Sequence, residues 1–348
     1  MNEITYGPQP TGDIGFDEGL SAELTALREV VTDLPGRLTG VWRPQWRHVL
    51  LAGIGASCAA LATPQYVLRS CGLAAFRTDC SDFPSAEGTS PDVVLALSQS
   101  GRSRETAELM TAFRDRGVPT LALTNADTSP LGEAVDTAVT LGGHPDSRVS
   151  TVGFVVTFAA LSMLTDAATT GSVDGGWVRL PDLITEALAA AAPALDAFAS
   201  GPLATGPVDV VAAAPQLTTA EAVALLFREG PLVPSAGHGT RTYLHGYMDS
   251  AGPRTGHILI GADREARLAR QLVERGAGVL AVAEAATEFP PGVHRVSVPP
   301  GLTAPQRALV EVCVLQRLVA AVAGVRGNPV DEVAFRREDT KIDALREL

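Results

Sequence analysis

The run Val93-Val-Leu-Ala-Leu97 is short, continuous and apolar, and it ends in Ser98-Gln99-Ser100-Gly101. A run without polar alternation reads as a strand buried on both faces, the kind that parallel sheets contain. A helix begins directly afterwards, with Ser103 in its first turn. His48-Val-Leu-Leu-Ala-Gly-Ile-Gly55 repeats the pattern: an apolar run, a glycine turn, then a helix opened by Gly55 and Ser57. Strands that alternate with helices at this spacing specify a doubly wound α/β domain.

The same grammar runs along the chain. Residues 1–35 read as an acidic leader and an amphipathic helix, Leu20–Leu34. Strands are expected at Leu73–Asp79, Thr120–Thr124 and Thr137–Leu141, and a long apolar helix at Val152–Ala168, with Ser150-Thr151 placed to cap it. An alanine-rich helix, Leu180–Ala199, is expected to kink or break at Pro193. The Gly-Pro stretch from Ser200 to Pro207 marks a domain boundary, giving a first domain over 36–200, a second over 201–325 and a polar tail over 326–348. In the second domain the alternation restarts with strand Val208–Ala213 and helix Ala220–Glu229. An irregular segment to Ser250 follows, then strands at His257–Gly261, Gly278–Val282 and His294–Val298, and a helix over Ala304–Val325. The fold class is α/β, two tandem doubly wound domains that look like degenerate copies of one unit.

Composition narrows the partners. The 348 residues are 46% hydrophobic, enough for a sizeable core. A net charge of −12 argues against nucleic acid or an anionic membrane. Four cysteines (Cys58, Cys71, Cys80, Cys313) lack metal-site or disulfide spacing, so neither a zinc site nor a disulfide framework is expected, and no cofactor is expected either. The first residues lack the pattern of a signal peptide, and the apolar runs look too short or too charged to span a bilayer. A soluble cytoplasmic protein is the expectation. Of 27 basic residues, Lys341 is the only lysine.

The turn at Ser98–Ser103 carries the chemistry. Backbone N–H groups at a helix N-terminus are unpaired and bear partial positive charge, so they hold anions. Three serine hydroxyls and the Gln99 amide add neutral donors, and Gly101 permits positive φ. A serine-rich cap that binds nothing is the competing reading. The Gly53–Ser57 turn tips the balance to a phosphate, because ligands of open α/β sheets sit outside the carboxyl ends of strands, where two such turns face each other. A dinucleotide fingerprint fails, since Cys58 stands where its third glycine belongs.

The two turns, the Leu123-Thr-Asn125…Ser129-Pro130 loop and the Val149-Ser-Thr151 helix start resemble the sugar isomerase (SIS) domain of phosphosugar-binding proteins. The order of elements is similar to the tandem SIS domains in the isomerase half of glucosamine-6-phosphate synthases. Even Met1-Asn-Glu-Ile…Gln9-Pro10 resembles that family's opening. The resemblance implies that Ser98, Gln99, Ser100 and Ser103 bind phosphate. It implies that Gly55, Ala56 and Ser57 contact the sugar, with Ala56 where the family often has threonine. Ser150 matches a substrate-contacting serine, followed here by Val152 where the family usually has lysine. Glu229 matches the glutamate that moves a proton between C1 and C2, and His245 the ring-opening histidine contributed by a partner subunit, which implies a homodimer with shared active sites. A carboxylate and a separate acid/base are the groups that aldose–ketose interconversion needs. His238 competes with His245 for that role. His144 reads as a surface-loop histidine, and His48, His257 and His294 as structural.

Departures limit the activity. The second half has no glycine-bearing phosphate turn, so one substrate site per chain is expected. No glutaminase domain is expected ahead of the leader. The family's C-terminal Schiff-base lysine falls at Arg337 on a gap-free count and at Lys341 with a short insertion; arginine forms no imine, and the gap-free count is favoured. Related fructosamine-phosphate deglycases work without that lysine. The expected function is aldose–ketose isomerisation or deamination of a hexose or aminosugar 6-phosphate. Fructosamine 6-phosphate deglycation is one alternative and a non-catalytic phosphosugar sensor another.

Overall fold

The computed structural model describes residues 11–83, 90–201, 203, 205–332 and 341–342. Two compact units divide it: Met1–Val178 with Val333–Leu348, and Arg179–Glu332.

The first unit opens with β1 (Thr11–Ile14) and α1 (Phe16–Leu38). It continues through β2 (His48–Gly53), α2 (Ala56–Ala60), α3 (Ala62–Ser70), β3 (Ala74–Asp79), β4 (Val93–Ser98), α4 (Arg104–Asp115) and β5 (Thr120–Thr124). It closes with α5 (Pro130–Ala134), β6 (Thr137–Thr140), β7 (Asp146–Ser147) and α6 (Val152–Thr170). Five strands form one parallel sheet in the order β3-β2-β4-β5-β6. The apolar runs fill its middle: every residue of β4 and β5 is buried, because helices cover both faces. Leu50, Ala96, Met110 and Phe113 belong to one buried cluster on this sheet. β1 pairs separately with β7.

The second unit contains α7 (Leu180–Ser200), β8 (Val208–Ala212), α8 (Leu217–Glu229), β9 (Ser235–Gly239), α9 (Thr240–Tyr243) and β10 (Gly256–Ile260). α10 (Asp263–Glu274), β11 (Gly278–Glu284), β12 (His294–Val298) and α11 (Ala304–Arg326) complete it. Its parallel sheet runs β9-β8-β10-β11-β12, the strand order of the first unit position by position. The expected duplication is therefore present in the topology.

Several elements differ from the sequence expectation. α7 continues through Pro193 instead of breaking there. Its buried face packs on α11 and β12, so it joins the second unit, which starts at Arg179 and not at the Gly-Pro break. The segment expected to be irregular contains β9, a strand whose sequence Ser-Ala-Gly-His-Gly has neither β-branched residues nor alternation. Three helical stretches, Val152–Thr170, Gly175–Ser200 and Ala304–Arg326, are long and apolar enough to cross a membrane, contrary to the reading of the runs. α6 runs over Val152–Thr170, two residues beyond the expected helix, and the charge of Glu311 in α11 is taken up by Arg307 and Thr219. In α6 and α11 most of the apolar stretch is buried.

A buried polar chain crosses the amino half of the second sheet. The Tyr243 hydroxyl donates to Asp209 Oδ2 at 3.1 Å and lies 3.0 Å from His257 Nδ1. His257 Nε2 lies 2.8 Å from Thr255 Oγ1. Burial disfavours the imidazolium and pushes the His257 pKa down from 6.5 to about 4. Between those values the unfolded chain binds a proton that the folded chain does not. The stability this group contributes is thus complete above pH 6.5 and lost as pH falls toward 4. In an NMR titration the His257 ring should remain neutral at pH 5, and a His257→Gln variant should lose melting temperature less steeply over that window than the wild type.

Candidate functional site

In the strand order of the first unit, the connections of neighbouring β2 and β4 leave toward opposite faces, which opens a crevice at their carboxyl ends. Both turns singled out in the sequence lie there. After β2 the chain turns through Gly55, whose φ of 58° and ψ of −126° suit glycine alone. Ala56 and Ser57 follow as the first residues of α2, half-buried, with no side chain capping the helix start.

The β4 turn is the more elaborate. Ser98 and Ser100 are almost fully buried. The Gly101 N–H donates to Ser98 Oγ at 3.1 Å and the Arg102 N–H to Ser100 Oγ at 3.3 Å, so two serines brace the turn and keep their own protons to donate. Gly101 has φ 65°, and a Cβ on it would fall 2.2 Å from Ser129 Oγ, the side chain that caps α5. The Gln99 carbonyl accepts from the Asn125 N–H at 3.1 Å, which ties the turn to the end of β5. Ser103 is the N-cap of α4, yet its hydroxyl makes no cap hydrogen bond.

That hydroxyl is engaged from elsewhere. Lys341 Nζ donates to Ser103 Oγ at 3.2 Å and to Ser100 Oγ at 3.3 Å. The backbone follows: Lys341 forms an antiparallel bridge with Ser103, and the N–H of fully buried Ile342 donates to the Arg102 carbonyl at 3.0 Å. The sequence reading needed no lysine at this turn, but the chain's single lysine is delivered to it. An ammonium, two hydroxyls and the start of a twelve-residue helix then face one place, an arrangement that can hold a dianionic phosphate. Arg337 lies outside the described residues, as does the family-like opening at Met1–Pro10.

Ser150 is placed at the start of α6. Its hydroxyl donates to Asp146 Oδ2 at 2.6 Å and accepts from the Phe154 N–H at 2.9 Å, so it caps the helix as expected and is doubly engaged. The organiser is Asp146, which sequence reasoning missed. Its Oδ1 accepts from the N–H groups of Ser147 (3.0 Å) and Thr151 (2.9 Å). Burial raises the Asp146 pKa, and the hydrogen bonds from Ser150, Thr151, Gly153 and Ser147 oppose the rise. Gly153 leaves room for this cluster: a Cβ there would fall 2.3 Å from both Asp146 Oδ2 and Gln99 Cγ. Gln99 is thereby packed against the first turn of α6. An acidic residue a few positions before a Ser-Thr helix start was the available signal. His144 is not at the turn; its ring lies 3.8 Å from Glu29, and its backbone is held by Asn125.

Glu229 and His245 belong to the second unit. Glu229 is the half-buried last residue of α8. Just beyond it, Leu232 has φ 57°, the one positive φ outside glycine among the described residues, and Asn328 Nδ2 donates to the Pro231 carbonyl at 2.9 Å. Backbone strain of this kind collects at functional sites. His245 sits in an exposed turn after α9. Its competitor His238 packs against the Tyr243 and Tyr247 rings at 5.4 and 4.4 Å, a structural setting. Among the described residues no group of His, Cys, Asp and Glu could hold a metal.

Residues 45–171 match the family model for the SIS domain. No match is found among curated proteins. Among solved structures, the chain is similar to the C-terminal domain of glucosamine-fructose-6-phosphate aminotransferase from Francisella tularensis, with TM-score 0.78, 15% identity and coverage of 92% of this chain and 98% of that one. It is also similar to tagatose-6-phosphate ketose/aldose isomerase from Escherichia coli (TM-score 0.78, 14% identity, 94% and 98% covered). A third is glucosamine-6-phosphate deaminase from Thermotoga maritima (TM-score 0.75, 17% identity, 91% and 96% covered). At these identities the likeness is one of fold, and it extends across both units.

Gly101→Ala should lower stability by about 2–4 kcal/mol, combining a positive-φ penalty with a clash against Ser129. Urea unfolding measures it, and a change within 0.5 kcal/mol would mean that the turn is not built as described.

Proposed function

We propose, from the match of residues 45–171 to the family model for the SIS domain, that the protein binds a phosphorylated sugar at the Ser98–Ser103 turn and moves a proton between its C1 and C2. The observation that carries this reading is Lys341 Nζ resting on Ser100 and Ser103 at the start of α4. A neutral serine cap would not draw the chain's single lysine to that place. The similar solved structures with named activities include a phosphosugar isomerase and an aminosugar-phosphate deaminase, which supports the same class of substrate.

In this reading the phosphoryl group takes the N–H groups at the start of α4, the hydroxyls of Ser98, Ser100 and Ser103, and the Lys341 ammonium. Gly55, Ala56 and Ser57, at the turn from the adjacent strand β2 into α2, line the way to the sugar. Glu229 accepts the proton from one of C1 and C2 and returns it to the other, through an enediol or enolamine. His245 of the partner subunit opens the ring, so the working form is a homodimer. Lys341 is committed to the phosphate as a point charge and forms no imine. Isomerisation of a hexose phosphate and deamination of an aminosugar phosphate share this proton transfer, and so does deglycation of a fructosamine phosphate.

Hydrogen–deuterium exchange resolves these outcomes. Glucose, fructose, glucosamine and fructosamine 6-phosphates are incubated with the protein in D₂O and followed by NMR. Deuterium should enter at C1 or C2, and the fastest sugar identifies the reaction. Tight binding without exchange in any of them would replace the enzyme by a sensor. Glu229→Gln should abolish exchange while phosphosugar affinity stays within a few-fold. Lys341→Met should weaken phosphosugar binding about tenfold or more, the loss of one charge-assisted hydrogen-bonding group. Borohydride should trap no ketose on the wild type.

A further inference from the structure

The first unit places its phosphate turn between β2 and β4, the point where the strand order reverses. The equivalent point of the second unit lies between β8 and β10. The sequence lacks a glycine–serine turn there, which is why a single site per chain was expected. The structure nevertheless has a cavity of about 550 Å³ at that point, a volume suited to a hexose phosphate. Its walls are the turns after β8, β9 and β10, together with Arg307 from α11. All of them belong to the second unit.

The lining carries charges of both signs. Arg241, Arg264 and Arg307 supply guanidinium groups. Arg307 Nε donates to Glu311 at 2.8 Å and its Nη1 lies 3.9 Å from Glu284, but its buried Nη2 has no hydrogen-bond partner among the described residues. A buried guanidinium N–H without an acceptor is costly, and an anionic oxygen in the cavity would satisfy it. The lining also contains Glu265, 3% exposed, which accepts a hydrogen bond from the Thr240 hydroxyl and forms no ion pair among the described residues. A buried carboxylate facing a cavity suits a ligand hydroxyl or ammonium. The helices α8 and α10 also begin here, and no side chain caps either of them.

We propose that the second unit carries its own ligand site in the crevice between β8 and β10, which takes a phosphorylated sugar through Arg241, Arg264 and Arg307 and receives its hydroxyl or amino groups at Glu265. Guanidinium forks replace the serine turn as the anion holder. The site is separate from the Ser98–Ser103 turn and does not depend on the reading of that turn.

Isothermal titration of the full-length protein with glucosamine 6-phosphate and with fructose 6-phosphate tests it. The wild type should bind two ligands per chain. The double variant Ser100→Ala/Ser103→Ala should lose the site in the first unit. Arg241→Ala/Arg264→Ala, two exposed positions at which circular dichroism should show an unchanged fold, should weaken the other site about tenfold or more. Glu265→Gln should weaken glucosamine 6-phosphate more than fructose 6-phosphate at that site. Titrations unaffected by the arginine changes, or no binding of either sugar, would overturn the proposal. Binding lost with the arginines but indifferent to the serines would uphold it and overturn the reading of the first unit instead.

Discussion

A parallel sheet covered on both faces can hold almost nothing polar in the middle of its strands. β4 and β5 have no exposed residue, so the polar chemistry of each unit is pushed to the strand ends. The strand order then decides which end positions face a crevice. The order β3-β2-β4-β5-β6 sends the connections of the two central strands to opposite faces and leaves space between them. The serine turn, the glycine turn and the first turn of α6 are all arranged around that gap.

Polar groups in the crevice are affordable because they satisfy one another before any ligand arrives. Ser98 and Ser100 accept from their own turn, and Asp146 is surrounded by donors from the start of α6. Burial still raises the Asp146 pKa. Its carboxylate is therefore held in place at a cost, which the ordering of Ser150, Thr151 and the helix start offsets. Gly153 makes this geometry feasible, since any Cβ there would displace Asp146 or Gln99. The rigidity of the turn comes from a cluster whose members span three segments of sequence.

What was legible from the sequence follows the range of the interactions involved. The strands β2, β4, β5, β8 and β10 are short and predominantly apolar, so local composition reveals them. The turns after β2 and β4 are legible because small residues and serines at a strand end have few other uses. β9 was not legible. It becomes a strand because Gly237 lets the backbone approach α8, where a Cβ would sit 2.6 Å from the Ala220 carbonyl. The continuity of α7 past Pro193 depends on packing against α11, which no local signal reports. Lys341 illustrates the same limit most sharply: it lies 238 positions from Ser103, and only the folded chain shows that the two meet.

The two units share a strand order but hold charge by different means, and side-chain chemistry accounts for the contrast. In the first, a turn of small residues brings backbone N–H groups close, so neutral donors and one compact ammonium suffice. That ammonium comes from a segment docked by the Ser103–Lys341 bridge and the Ile342 N–H. In the second, Ala213-Ala214-Pro215 after β8 supplies no hydroxyl and Pro215 supplies no N–H. Long guanidinium side chains from α9, α10 and α11 then cover the distance that the backbone cannot. The acids in the first turn of α10, Asp263 and Glu265, already offset that helix's positive end. An anion in this crevice therefore relies on arginine more than on the helix dipole, the reverse of the balance at Ser98–Ser103. Divergence between duplicated units has changed how charge is held while leaving the crevice in the same topological place.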